Sequence, residues 1–161
     1  MIPKFIILHH TASSRDRTSE EDVENWHKVR FPISSLGSYI GYHYLILGNG
    51  QIIQARRDNE IGMHSIPNDG KIGIALCGNF TANEVPSDAQ LNSLEQLLNK
   101  LKSIYNLQNK DIFAHRELNK TECPGDNLMK WILLKRQLSI LQKIILLLKR
   151  KLGILTGKNE K

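Results

Sequence analysis

Cysteine is scarce in this 161-residue chain: Cys77 and Cys123 are the two present, too few for a disulfide framework. Long apolar runs are missing as well. The longest unbroken one is Ile144–Leu148, far short of the roughly 20 residues that a membrane-spanning helix needs. The stretch Ile2–Leu8 has five apolar residues in seven before two histidines, but neither the h-region nor the small-residue cleavage site of a secretory signal. The expectation is a product made in the cytoplasm, released by some other agent if it works outside. Hydrophobic residues make up 40% and charged residues 24%, which excludes both a disordered tail and a membrane bundle. The length suits one ordinary domain able to bury its own core.

Acid is nearly absent from one part of the chain. Residues 130–161 hold nine Lys/Arg and a single acid, Glu160. The remaining 13 basic and 15 acidic residues give 1–129 a charge of about −2, although the whole chain is +6. A basic balance points to an acidic partner such as nucleic acid, anionic membrane or anionic cell wall. Here that question attaches to the last 32 residues.

Periodicity supplies the elements. Lys4–Leu8 reads as a strand ending at His9. Thr18-x-x-Glu21 is a capping-box pattern, and Val23, Trp26 and Val29 follow at helical spacing, so a helix is expected over 19–30. Residues 43–47 and 51–57 flank Gly48-Asn49-Gly50, a hairpin signal. Ile72–Gly78 reads as a buried strand. Ser87, with Gln90 three residues on, caps a long helix whose stripe is Leu91, Leu94, Leu98, Leu101 and Tyr105. Asp111–His115 is a short strand and Leu118–Gly125 a loop. Strands mixed with helices predict an α/β fold, a mixed β-sheet flanked by helices.

Residues 131–155 predict a further, amphipathic helix. Trp131, Leu134, Leu138, Leu141, Ile145, Leu148, Leu152 and Leu155 alternate spacings of three and four, a coiled-coil-like seam. Leu133, Ile140, Leu147 and Ile154 widen it, and Arg136, Lys143 and Arg150 repeat opposite. The expected division is a domain over 1–130 and a basic helix with a short tail over 131–161. Three readings of the helix compete: self-association in a bundle, contact with an anionic membrane, and packing on its own domain. Nucleic acid is not an expected partner, since no aromatic interleaving or recognisable module accompanies the charge.

Among six histidines and two cysteines, His9, His115 and Cys123 are of interest as metal ligands. Two imidazoles and a thiolate make a three-ligand set for Zn²⁺ that leaves a fourth position for water. Spacing alone does not force these three together, and each His taken singly is more often packed or on the surface.

A set of short blocks goes further. These are Ile7-Leu8-His9-His10-Thr11-Ala12, Trp26-His27-Lys28, Gly41-Tyr42-His43-Tyr44, His64, Ile72-Gly73-Ile74 with Gly78-Asn79-Phe80, Ala114-His115-Arg116-Glu117, and Cys123-Pro124. Their order and spacing over residues 4–131 resemble the zinc N-acetylmuramoyl-L-alanine amidases, a group that includes amidase-type phage lysozymes and peptidoglycan recognition proteins. The resemblance implies Zn²⁺ held by His9, His115 and Cys123, with Tyr42 catalytic. It places Thr121 where members carry Lys or Thr beside the oxyanion. His9 rather than His10 aligns with the first ligand, and strand neighbours point to opposite faces.

The implied activity is that of an endolysin-like peptidoglycan hydrolase acting on the cell wall after release, in host lysis. It would cut the amide between N-acetylmuramic acid and L-Ala. The rivals are a non-catalytic peptidoglycan-binding module, in which the resemblance expects the cysteine to be missing, and an interaction protein acting through the C-terminal helix.

Other residues carry plainer readings. Cys77 is expected in the core, His27 as structural or surface, and His43 as a satisfied neighbour of Tyr42. His64 and Arg57 are the substrate-binding candidates, His64 against plain surface and Arg57 against an ion pair with Asp58. Glu117 follows His115 closely, but no Glu is an obvious base.

Overall fold

The computed structural model describes residues 1–151. Five strands form one sheet: β1 (Phe5–His10), β2 (Tyr44–Ile46), β3 (Ile52–Gln54), β4 (Lys71–Leu76) and β5 (Ile112–Ala114). Their spatial order is β3-β2-β4-β1-β5. The β2–β3 hairpin is antiparallel, while β4 runs parallel to β2 and to β1, and β5 parallel to β1. Three helices, α1 (Glu20–Lys28), α2 (Asp88–Tyr105) and α3 (Asp126–Lys151), flank the sheet. The expected mixed sheet between helices is the one found.

Alternation along the strands divides the core. Ile6, Leu8, Ile72, Ile74 and Leu76 face α2 and the start of α3, where they bury with Leu94, Leu98, Leu101, Leu128 and Ile132. The other face of β4 carries Ala75 and then Cys77, packed with Val23 of α1, Ile40 and Leu45. Cys77 is a fully buried core thiol, as its setting in an apolar strand suggested. Gly73 shares this second face. A Cβ there would stand 2.5 Å from the His64 ring, closer than side chains pack. Large residues on one face and small ones on the other fill one side of the sheet and leave room on the opposite side.

Local signals place the helices with two differences. Ser19, not Thr18, caps α1: its hydroxyl accepts from the Asp22 N–H while the Asp22 carboxylate accepts from the Ser19 N–H. Thr18 instead donates to the Ser13 hydroxyl at 2.9 Å. Ser87 and Gln90 cap α2 as expected, and Asn106 ends it in the left-handed conformation.

The second difference is larger. The C-terminal helix begins at Asp126, five residues before the expected 131, and its first turns bury Leu128 and Ile132 in the core. Lys135 then pairs with Glu95 of α2, and Arg136 with Glu117. From Leu138 to Leu148 the apolar side chains are exposed, so packing on the domain is confined to the helix's beginning. Leu152, Ile154 and Leu155 of the expected seam lie outside the described residues.

Two imidazoles are locked into this frame. His10 Nδ1 accepts the Phe80 N–H at 3.2 Å, and His43 Nδ1 accepts the Gly73 N–H at 3.0 Å while Nε2 donates to the Glu60 carbonyl. Burial is the leading cause that lowers both pKa values, that of His10 from 6.5 to about 4. Above pH 6.5 these rings are neutral whether the chain is folded or unfolded. Between 6.5 and about 4 the unfolded chain takes up protons that the folded His10 refuses, so stability falls as pH falls. Urea unfolding of the metal-free protein is expected to give a lower midpoint at pH 5 than at pH 7.

Candidate metal centre

Parallel register brings the first two candidate ligands together. Leu8 of β1 pairs with Ala114 of β5, so His9 and His115, each the next residue, emerge side by side at the carboxyl ends of neighbouring strands. Their ring centroids are 4.4 Å apart. Parallel sheets gather their functional groups at this end. After His115 the chain makes a short 3₁₀ turn and loops back, with the Arg116 N–H donating to the Cys123 carbonyl at 2.8 Å. That return sets the Cys123 thiol beneath the end of β1, where the His10 N–H donates to Sγ at 3.4 Å. His9, His115 and Cys123 each offer one ligand atom, all within 4.8 Å of one another.

Hydrogen bonding through His64 fixes which His9 nitrogen faces the thiol. His64 Nε2 lies 3.4 Å from the Lys71 carbonyl and can only donate to it. In a neutral ring His64 Nδ1 is then an acceptor, and it sits 3.1 Å from His9 Nε2, which therefore donates. His9 Nδ1 is left as a bare lone pair, 3.6 Å from Cys123 Sγ. Burial, then neighbouring histidines, hold His9 well below the ordinary imidazole pKa, and burial is the main reason that His64 falls to about 3. Both rings are neutral near pH 7, as metal ligation and its support require.

The donor set fits a metal ion. A tetrahedral ion with ordinary Zn–N and Zn–S bonds sets its N and S ligands about 3.6 Å apart, matching the separation of His9 Nδ1 and Cys123 Sγ. Burial pushes the Cys123 thiol up to about 12, with the His10 N–H and Arg116 pulling the other way. A thiolate at this position needs a cation beside it, and the adjacent imidazoles are neutral.

The centre opens into a cleft of about 660 Å³. Tyr42 lies on its wall, its ring 5.2 Å from that of His9. Burial raises the Tyr42 pKa, so the phenol keeps its proton at working pH. Thr121 is exposed at the rim, and its oxygen accepts the Cys123 N–H at 3.2 Å, which leaves the hydroxyl proton free for the cleft. Tyr42, Thr121, His9, His115 and Cys123 are thus brought together.

Two candidates end in different places. His64 borders the cleft, with both its nitrogens hydrogen-bonded inside the protein, Nδ1 to His9 and Nε2 to the Lys71 carbonyl. Arg57 is not part of the cleft wall. Its guanidinium donates to the Ser35 hydroxyl, and the carboxylate of Asp58 is taken by the hydroxyls of Tyr44 and Tyr105. Neither half of the ion-pair or groove-contact reading of Arg57-Asp58 describes this arrangement. Glu117 is tied to Arg136 and to the Ala114 N–H, which hold its carboxyl below the usual range and leave it no freedom as a base.

His27, expected as structural or surface, lines the cleft with Nδ1 accepting the Gly41 N–H. Arg30, Phe31, Asn68, Asn119 and Lys120 also line it and were not singled out by sequence. Arg30 and Phe31 follow His27 by one turn of chain, the only signal that pointed to them.

Comparison with known proteins identifies relatives of this chain. A family model described as N-acetylmuramoyl-L-alanine amidase matches residues 1–126. The endolysin N-acetylmuramoyl-L-alanine amidase LysCS from Clostridium intestinale superposes with a TM-score of 0.71 at 32% identity, over 85% of each chain. Peptidoglycan-recognition protein SD of Drosophila melanogaster is 31% identical over 131 residues, 79% of this chain and 69% of that protein. An N-acetylmuramoyl-L-alanine amidase of Sus scrofa is 32% identical over 107 residues, 64% of this chain but 18% of that longer protein. With His9, His115 and Cys123 gathered beside the ends of β1 and β5 as a candidate metal site, and this match over most of its length, the chain belongs to the N-acetylmuramoyl-L-alanine amidase family.

Proposed function

We propose that the protein is a zinc-dependent amidase that cuts the bond between the lactyl group of N-acetylmuramic acid and the L-Ala of the stem peptide. The observation that carries this reading is the set of three neutral-imidazole and thiol donors, spaced for one ion, at the floor of an open cleft. The family match supports the substrate class. In the cell the enzyme would act on the wall after release from the cytoplasm, as in lysis of a host.

His9, His115 and Cys123 would hold the ion, and zinc there supplies Lewis acidity to a water and to the scissile carbonyl. The chain's own groups do the rest. The Lys71 carbonyl and His64 hold His9 in the tautomer with a free Nδ1. Tyr42, kept protonated by burial, donates to the carbonyl oxygen as negative charge gathers on it. The Thr121 hydroxyl, its oxygen anchored by the Cys123 N–H, offers a second donor without adding charge. Overall, water gives its hydroxyl to the lactyl carbonyl carbon and a proton to the alanine nitrogen.

A binding module of the same fold is the second reading, favoured by the recognition protein among the relatives. Digestion of purified peptidoglycan separates the two. The expected products are new L-Ala amino termini that vanish with chelator and return with Zn²⁺, and that Cys123→Ser fails to produce. New reducing sugar ends, or binding without cleavage, would overturn the amidase assignment. Tyr42→Phe is expected to keep its zinc affinity and lose about 10²- to 10³-fold in kcat, the usual cost of one oxyanion donor. His64→Ala is expected to weaken zinc binding about 10- to 100-fold in a chelator competition. His64→Gln, which can accept from His9 and donate to Lys71, should recover part of that loss.

A further inference from the structure

Helix α3 presents two apolar faces on nearly opposite sides. At about 100° per residue, Leu128 and Ile132, which dock on the sheet, lie about 40° apart. Leu134, Leu138, Leu141, Ile145 and Leu148 lie about 140° further round the helix, and all are exposed. Between residues 137 and 151 the apolar arc also takes in Ile140, Ile144 and Leu147 and covers about half the circumference. Gln137 and Lys151 interrupt it only at the two ends of that segment. The opposite side carries Gln142, Lys143, Lys149 and Arg150, with Leu146 as its one apolar residue.

This arrangement restricts what can cover the arc. It faces away from the surface on which the helix is docked, so a straight helix cannot turn it onto its own sheet. The segment 127–151 has seven Lys/Arg and no acid. A second copy would bring the same charges to the flanks of any seam, with no carboxylate there to pair with them. An apolar arc of 180° is also wider than a two-stranded seam uses. No helix in the described residues is long and apolar enough to cross a membrane. A helix lying in an interface needs a broad apolar face, cations beside and above it, and an anionic surface to meet them. Residues 137–151 offer about 22 Å of such a helix.

We propose that the distal half of α3 docks flat on an anionic lipid surface, apolar arc down, while its first turns stay in the domain core. Lys149 then flanks the arc at headgroup depth, Lys151 lies at its far end, and Lys143 and Arg150 extend towards the lipid charge along their flexible stems. This proposal does not depend on the amidase activity, because the docked face shares no residue with the cleft.

The test uses the full chain and vesicles of phosphatidylglycerol with phosphatidylcholine, against vesicles of phosphatidylcholine alone. Co-sedimentation is expected with the anionic vesicles and to weaken with added salt. Each cation removed should cost about fivefold in partitioning, so a Lys143→Gln, Lys149→Gln, Arg150→Gln triple variant should lose about a hundredfold. Leu141→Gln with Leu148→Gln should also release the protein. Both variants should keep the parent's circular dichroism and its hydrolysis of soluble wall fragments. Equal partitioning to both vesicle types, or a triple variant that binds as tightly as the parent, overturns the proposal. So does a sedimenting dimer that the two leucine substitutions abolish, because a second copy would then own the arc.

Discussion

The parallel register of β1 and β5 is the constraint on which the site depends. His9 and His115 are 106 residues apart in sequence, and nothing in their local sequence holds them together. They meet because Leu8 is paired with Ala114 and both strands run the same way, so the next residue of each leaves the sheet at the same edge. A slip of one residue would turn one imidazole to the opposite face of the sheet. Ile6–Leu8 and Ile112–Ala114 guard against that slip, since Ile6, Leu8, Ile112 and Ala114 share the core under α2 and α3. The apolar packing on one face therefore fixes the chemistry on the other.

Space for that chemistry comes from the small side chains of β4. Gly73 and Ala75 stand where larger residues would fill the cleft side, and the room goes to imidazoles. His43 occupies one place as a rivet between the Gly73 N–H and the Glu60 carbonyl. His64 occupies the next and carries the chain from the Lys71 carbonyl to His9. Two histidines close together, both neutral, thus have different work. One joins loop to sheet, and the other sets the proton on His9 so that its free lone pair points at the thiol.

Much of this was legible in the residues. The resemblance picks His9 over His10, with strand alternation in support, and His10 spends its ring on Phe80 rather than on the His9–His115–Cys123 cluster. The Gly48-Asn49-Gly50 hairpin and the Ser87–Gln90 cap were local signals, and local interactions produced them. What stayed hidden was long-range. Arg57 stands in sequence between a groove contact and an ion pair with Asp58, but its guanidinium and its N–H go to Ser35 and Glu60, which nothing in the sequence marks as its partners. His64 is a substrate-contact candidate by the resemblance, and nothing in its local sequence marks His9 or the Lys71 carbonyl as its partners.

The late start expected for α3 has the same kind of cause. The seam from Trp131 onwards is the most regular apolar pattern in the chain, and it draws the helix boundary to itself. Leu128 and Ile132 fall outside that pattern because they answer to a different surface, the core beneath them rather than the solvent-facing arc. A single helix that serves two surfaces cannot have one hydrophobic stripe. The charge follows the same division. Where α3 meets the domain, its cations have acids to meet, Glu95 for Lys135 and Glu117 for Arg136. From there to Lys151 the helix carries no acid, and its apolar side chains turn outward. Four of the chain's six net positive charges thus sit on the segment 137–151, where the helix exposes its apolar face.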